Sequence, residues 1–97
     1  MKLIFEWDTN KARENLRKHQ VSFEEARTIF NDPLMVTYPD DEHSQIEERL
    51  ISIGMSSVKR LLLAVHVERQ ETEEFLLIRL ISCRKATNLE RKAYEEN

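Results

Sequence analysis

Three β-prone runs follow one another in the second half of the chain, Arg49 to Ser56, Arg60 to Glu68 and Glu74 to Ser82, separated only by short polar connections. Parallel pairing needs a crossover of about a dozen residues, so these connections predict an antiparallel meander. Helical signals flank it. Leu3 to Trp7 is a short β-prone run that stops at Asp8, a good N-cap, and Thr9 to Lys18 holds no Gly or Pro and reads as a first helix. Ser22-Phe23-Glu24-Glu25 fits a capping box. Phe23, Ala26, Ile29 and Phe30 recur behind it at helical spacing, and the helix ends at Asn31-Asp32-Pro33. Met35 to Tyr38 reads as a brief strand before the acidic loop Pro39 to Glu48. A last helix opens on the capping box Thr87 and Glu90, with Ala86, Leu89 and Ala93 on the face expected to meet the sheet. The order β-α-α-β-β-β-β-α predicts an α+β domain with helices segregated against an antiparallel sheet.

The 97 residues suit one domain, 1–97, and 40% hydrophobic with 34% charged residues is the composition of an ordered globule. The longest apolar run, Leu61 to Val65, is far short of the ~20 residues of a bilayer-spanning helix. The first residues lack the apolar stretch of a secretory signal, so a cytoplasmic protein without membrane contact is expected. A lone cysteine, Cys83, excludes an intramolecular disulfide and a paired-cysteine zinc site. The net charge of −3 argues against a protein that coats nucleic acid. The average hides a gradient. Between residues 31 and 50, Asp32, Asp40, Asp41, Glu42, Glu47 and Glu48 face Arg49 alone, whereas Arg79, Arg84, Lys85, Arg91 and Lys92 oppose only Glu90 further on. That second stretch offers a local anion site.

Within the strand Phe75 to Ile81, Arg79 shares a face with Phe75, Leu77 and Ile81, and both faces read as buried. A guanidinium there needs a carboxylate partner, Glu47 or Glu68, or a cleft that accepts an anion. Glu47 and Arg49 share a face if extended. The carboxylate can hold the cation or act as a base, and the pair can equally be a surface ion pair. Lys18 and His19 end the first helix, where cations are favoured by its carbonyl end, and where an imidazole titrating near neutrality beside an ammonium could also serve a developing phosphate charge. Ser82 to Lys85 reads as a turn carrying two cations, with Arg91 completing a phosphate-docking cluster. His43 and His66 are scattered, metal-ligand spacing is lacking, and so is a Gly-rich phosphate loop. No cofactor and no metal are expected.

At this point the chain resembles the BrnT family of small ribonuclease toxins from type II toxin–antitoxin pairs. The resemblance runs nearly end to end. It rests on Phe5-Glu6-Trp7-Asp8, Lys11, Asn15, Lys18-His19, Val21, Phe23, Glu25-Ala26, Phe30 and Asp32-Pro33, then Glu47-x-Arg49, Gly54 and Arg60. It closes with Ile78-Arg79-Leu80-Ile81-Ser82, Arg84-Lys85-Ala86, Glu90-Arg91 and Tyr94. Gln20 stands where the family often has Gly, and Cys83 where Ala is common. The resemblance implies a RelE-like fold, metal-independent RNA cleavage and a cognate ribbon-helix-helix antitoxin. It further implies operator DNA bound only through that antitoxin, in a two-plus-two complex.

The family match carries Lys18, His19, Glu47, Arg49, Arg79 and Arg84 over as catalytic residues, and the basic cluster adds Lys85 and Arg91 as expected RNA contacts. Cleavage without a metal needs the 2′-hydroxyl deprotonated, the phosphate charge stabilised and the leaving 5′-oxygen protonated. In that scheme Arg79 and Arg84 clamp the phosphate, Lys18 stabilises charge, and Glu47 or His19 moves the proton. The alternative is a catalytically inactive toxin-like protein-binding module or co-repressor subunit.

Overall fold

In the computed structural model, which describes residues 1–43 and 47–97, one mixed five-stranded sheet carries the helices. The elements are β1 (Lys2–Glu6), α1 (Thr9–His19), α2 (Phe23–Arg27), β2 (Val36–Pro39), β3 (Leu50–Met55), β4 (Leu61–Gln70), β5 (Phe75–Lys85) and α3 (Asn88–Glu95). Residues 44–46 of the acidic loop lie outside the described residues; before them, Asp41–His43 makes a single 3₁₀ turn. The strands run in the order β1-β5-β4-β3-β2. β2 to β5 form the expected antiparallel meander, but β1 returns to the far edge and pairs parallel with β5, setting Glu6 beside Arg79. A parallel strand needs a long return path, and the whole of the intervening chain supplies it.

The caps form where the sequence places them. Asp8 accepts from the N–H groups of Asn10 and Lys11, Ser22 from that of Glu25, and Thr87 and Glu90 close a reciprocal capping box. α2 is shorter than its apolar spacing suggests and tightens into a 3₁₀ turn over Thr28–Asn31. That turn lies directly on β3. A Cβ on Gly54 would stand 3.1 Å from the Ile29 Cβ and 3.2 Å from the Ile29 carbonyl oxygen, so a larger residue would force the turn to give by a few tenths of an ångström.

α1 and α2 cover one face of the sheet. Val21, Phe23, Ala26 and Ile29 pack there on Leu62, Ala64, Ile78, Leu80 and Cys83. Burial of such side chains stabilises by roughly 1.5–3 kcal/mol each. Across that interface Glu25 of α2 accepts from Ser56 Oγ at 2.7 Å and from Arg60, whose guanidinium also reaches the Gln20 carbonyl at 3.1 Å. Burial raises the Glu25 carboxyl, but the Arg60 hydrogen bond is the larger effect and holds it below the usual range.

The opposite face is only partly covered. Tyr94 of α3, with Ala86 just before the helix, packs on Ile53, Leu61 and Leu63, and Tyr94 donates to Asp32 Oδ2 at 2.6 Å. Leu89 does not meet the sheet; it is 79% exposed. The inward residues of α3 are Glu90 and Tyr94, spaced by four, because the ties to Asp32 and Arg84 set the helix rotation. Beyond α3 the sheet face stays open.

Candidate functional site

β5 builds the open face. It pairs with the start of β4 through Lys85, so Ser82 to Lys85 is strand and not the expected turn. The ladder slips at Val65/His66: Val65 pairs with Ser82 and His66 with Leu80, which leaves Ile81 as the extra residue of a bulge. With that slip, Arg79, Ser82 and Arg84 share the α3 face, while Cys83 and Lys85 turn toward α1 and α2. The expected cluster of Arg84, Lys85 and Arg91 is therefore divided: Arg84 lines the open face, Lys85 is exposed on the other side, and Arg91 is exposed on α3.

Two clefts adjoin along β4 on this face. The first, about 330 Å³, is lined by His19, Tyr38, His43, Val65, Arg84 and Glu90 among others. Arg84 is held there by a two-toothed pair with Glu90, at 2.8 and 2.9 Å, and Glu90 Oε1 also accepts from the Thr87 N–H. The pair keeps the Glu90 carboxyl below its ordinary range and raises Arg84. Tyr38 is pushed up, first by burial and then by Glu90. His43 hydrogen-bonds Asp40 through Nδ1 at 3.1–3.2 Å.

The second cleft, about 290 Å³, is lined by Glu6, Glu47, Glu48, Val67, Glu68, Arg69, Leu77 and Arg79. Val65 of the first cleft and Val67 of the second are alternate residues on one face of β4, about 7 Å apart along the strand. Arg79 is not enclosed: its side chain is 43% exposed, and Nη1 donates to Glu6 Oε2 at 2.7 Å. The expected partners Glu47 and Glu68 line the same cleft but do not hold it. The parallel β1 places Glu6 directly opposite Arg79, and a pairing across the whole chain leaves no local trace in sequence.

Of the other expected residues, Lys18 and His19 are exposed at the end of α1, with His19 reaching the first cleft. Glu47 lies in an exposed bend and Arg49 just before β3, so neither sits in a strand where a shared face could be read. Sequence reasoning does not reach Tyr38 as a site residue, and it reads His43 only as a scattered histidine and Glu68 only as a partner for Arg79. For Tyr38 the signal was present, since alternation from Val36 puts it on the open face. Among the described residues no group of three or more His, Cys, Asp or Glu could hold a metal ion, and no helix is long and apolar enough to cross a membrane.

A mixed five-stranded sheet backed by α1 and α2, with α3 leaving part of the other face open, defines a small α+β domain. The particular family follows from its sequence model. The chain belongs to the BrnT ribonuclease toxins of type II toxin–antitoxin systems, whose model matches residues 7–90. Membership of such a system implies an antitoxin partner. Among solved structures the chain is similar to the ribonuclease toxin BrnT of Brucella abortus, known from a 1.1 Å crystal structure. The likeness has a TM-score of 0.64 and 19% identity, covering 91% of this chain and 100% of that one, and it speaks for the fold. No curated protein matches the chain.

Proposed function

We propose that this chain is a metal-independent endoribonuclease toxin that inhibits growth until a cognate antitoxin neutralises it. One observation carries the reading beyond family membership: each of the two adjoining clefts brings a guanidinium expected at the site together with groups able to move a proton. His19 accompanies Arg84, and Glu47 accompanies Arg79. In the reaction a base takes the 2′-hydroxyl proton, the 2′-oxygen bonds to phosphorus as the P–O5′ bond breaks, and an acid protonates the departing 5′-oxygen. Arg79 and Arg84 clamp the phosphate and Lys18 stabilises the charge that develops on it, while His19 or Glu47 moves the proton. Arg49 supports this set from just before β3, and exposed Lys85 and Arg91 contact the RNA backbone outside the clefts.

The antitoxin in this reading is a ribbon-helix-helix protein, which brings two toxin copies together and supplies the operator-binding surface. Cleavage of RNA by purified chain in excess EDTA tests the enzyme reading, with Arg79→Ala and Arg84→Ala as controls. Loss of activity in EDTA and its return with Mg²⁺ or Mn²⁺ would overturn metal independence. Co-purification with the antitoxin as a two-plus-two complex that no longer cleaves tests the partner.

A second reading, an inactive protein-binding module, is favoured by the fact that Arg79 and Arg84 are each already paired with a carboxylate. An absence of cleavage by folded protein that still binds the antitoxin would select it.

A further inference from the structure

Among the described residues the sheet ends at two edges, β1 and β2, and they are built differently. β2 closes with Pro39, which has no N–H to offer and blunts that edge. β1 has no such guard. Its sequence is Lys2-Leu3-Ile4-Phe5-Glu6, with Leu3 36% and Ile4 41% exposed. The Lys2 N–H donates inward to the Glu74 carbonyl at 2.7 Å, so the parallel ladder with β5 uses the backbone groups of Lys2, Ile4 and Glu6. Those of Leu3 and Phe5 consequently point outward.

We infer that two copies of this chain associate by pairing their β1 strands antiparallel about a twofold axis at Ile4. In this register Leu3 stands opposite the second copy's Phe5, and the two outward-facing residues exchange both backbone hydrogen bonds. Ile4 meets Ile4 at the axis. Lys2 stands opposite Glu6 at both ends, so the strand is complementary in charge to its own reverse. The neighbouring registers that also use the outward groups, centred on Leu3 or on Phe5, set Lys2 or Glu6 against Ile4 and lose both charge pairs. A self-complementary patch of this kind is what an isologous dimer requires. A cavity of about 510 Å³ bordered by Leu3, Phe5, Arg27, Thr28 and Asn31 lies beside the strand, on the side where the second copy's Leu3 side chain projects. Glu6 also holds Arg79, so the second copy's Lys2 competes for that carboxylate. The association is independent of the ribonuclease reading.

Sedimentation equilibrium and light scattering on the free full chain over a wide concentration range test it, and a reversible monomer–dimer equilibrium is expected. Leu3→Pro should abolish the dimer while leaving circular dichroism and melting nearly unchanged, because the Leu3 N–H points away from the ladder with β5. Lys2→Glu, on an exposed side chain that does not threaten the fold, should weaken the dimer by about tenfold, since two attractive pairs become repulsive. Glu6→Lys should do the same. An equimolar mixture of the Lys2→Glu and Glu6→Lys chains should associate again, because every facing pair is then opposite in charge. A monomeric wild-type chain at all concentrations, a dimeric Leu3→Pro chain, or a mixture no better associated than its components would overturn the inference. A free chain that stays monomeric while Leu3→Pro weakens only the antitoxin complex would assign the edge to the antitoxin and overturn it equally.

Discussion

The side-chain amide of Asn15 spans the backbone of Cys83, donating to its carbonyl at 2.9 Å and accepting from its N–H at 3.0 Å. It also donates to the Val21 carbonyl at 3.0 Å. β1 pairs with β5 only as far as Arg79, and past that point a side chain from α1 serves Cys83 as a strand would. Asn15→Leu would strand these buried backbone groups, at a cost of about 2–4 kcal/mol. Urea unfolding should show that loss with little change in slope. A cost below about 1 kcal/mol would mean that water replaces the amide.

Asn15 also shows what a single sequence hides. Its place on α1 was legible, and so were the caps, the meander and the final helix, because each depends on residues a few positions apart. The partner of Arg79 was not legible, since Glu6 reaches it only through the parallel return of β1. Nor was the bulge at Ile81, which sorts Arg84 and Lys85 onto opposite faces. Leu89 misled for a related reason: helical spacing gives a stripe, but the bonds from Tyr94 to Asp32 and from Arg84 to Glu90 choose which stripe faces in.

Gln20 caps α1 in the left-handed region, at φ 56°. That conformation favours glycine, since a Cβ is disfavoured there. Gln20→Gly should stabilise the fold by roughly 0.5–1 kcal/mol despite the added freedom of the unfolded chain and the loss of the exposed bond to the Arg17 carbonyl. Calorimetry should register a rise in melting temperature of about 4 °C. A lower melting temperature would show that the side-chain bond outweighs the backbone strain.

His66 is fully buried between β3 and Phe30. Its Nε2 hydrogen-bonds Ser52 Oγ at 2.8 Å, and Nδ1 lies 3.6 Å from Glu68. Burial pushes its pKa down from 6.5 to about 4. Between these values the unfolded chain binds the proton and the folded chain does not, so stability falls as the pH falls through this window. The total is about 3 kcal/mol. His66→Gln, which keeps a polar partner for Ser52, should flatten the slope between pH 6.5 and 4.5. An unchanged slope would place the titrating group elsewhere.

Cys83 stands near Arg60, an arrangement that could activate a thiolate, yet burial dominates and pushes the thiol up to about 12. Its Sγ is covered by Asn15 and the carbonyls of Val21 and Ser22. A thiol reagent should therefore modify the native chain only at the rate of opening and react at once in denaturant. Fast stoichiometric labelling of the folded protein would contradict this burial.

Arg79 and Glu6 are both 43% exposed, and an ion pair so open to water adds at most about 1 kcal/mol to stability. Its effect on RNA should be larger. Glu6 neutralises the guanidinium that the proposed mechanism aims at the phosphate, in a cleft that also carries Glu47, Glu48 and Glu68. Glu6→Gln removes that competing charge while keeping a side chain able to hydrogen-bond. It should leave the melting temperature nearly unchanged and tighten RNA binding several-fold, with a salt slope steeper by about one phosphate contact. Arg79→Ala should do the reverse, lowering cleavage by about 10²–10³ in a folded protein, as expected for the loss of one preorganised charge-stabilising donor. Fluorescence anisotropy with a short single-stranded RNA, titrated in salt and at protein concentrations too low for self-association, measures the binding arm. If Glu6→Gln weakens RNA binding, Glu6 is needed to aim the guanidinium. If neither variant alters RNA binding or cleavage, the Arg79–Glu6 pair serves only to hold β1 against β5.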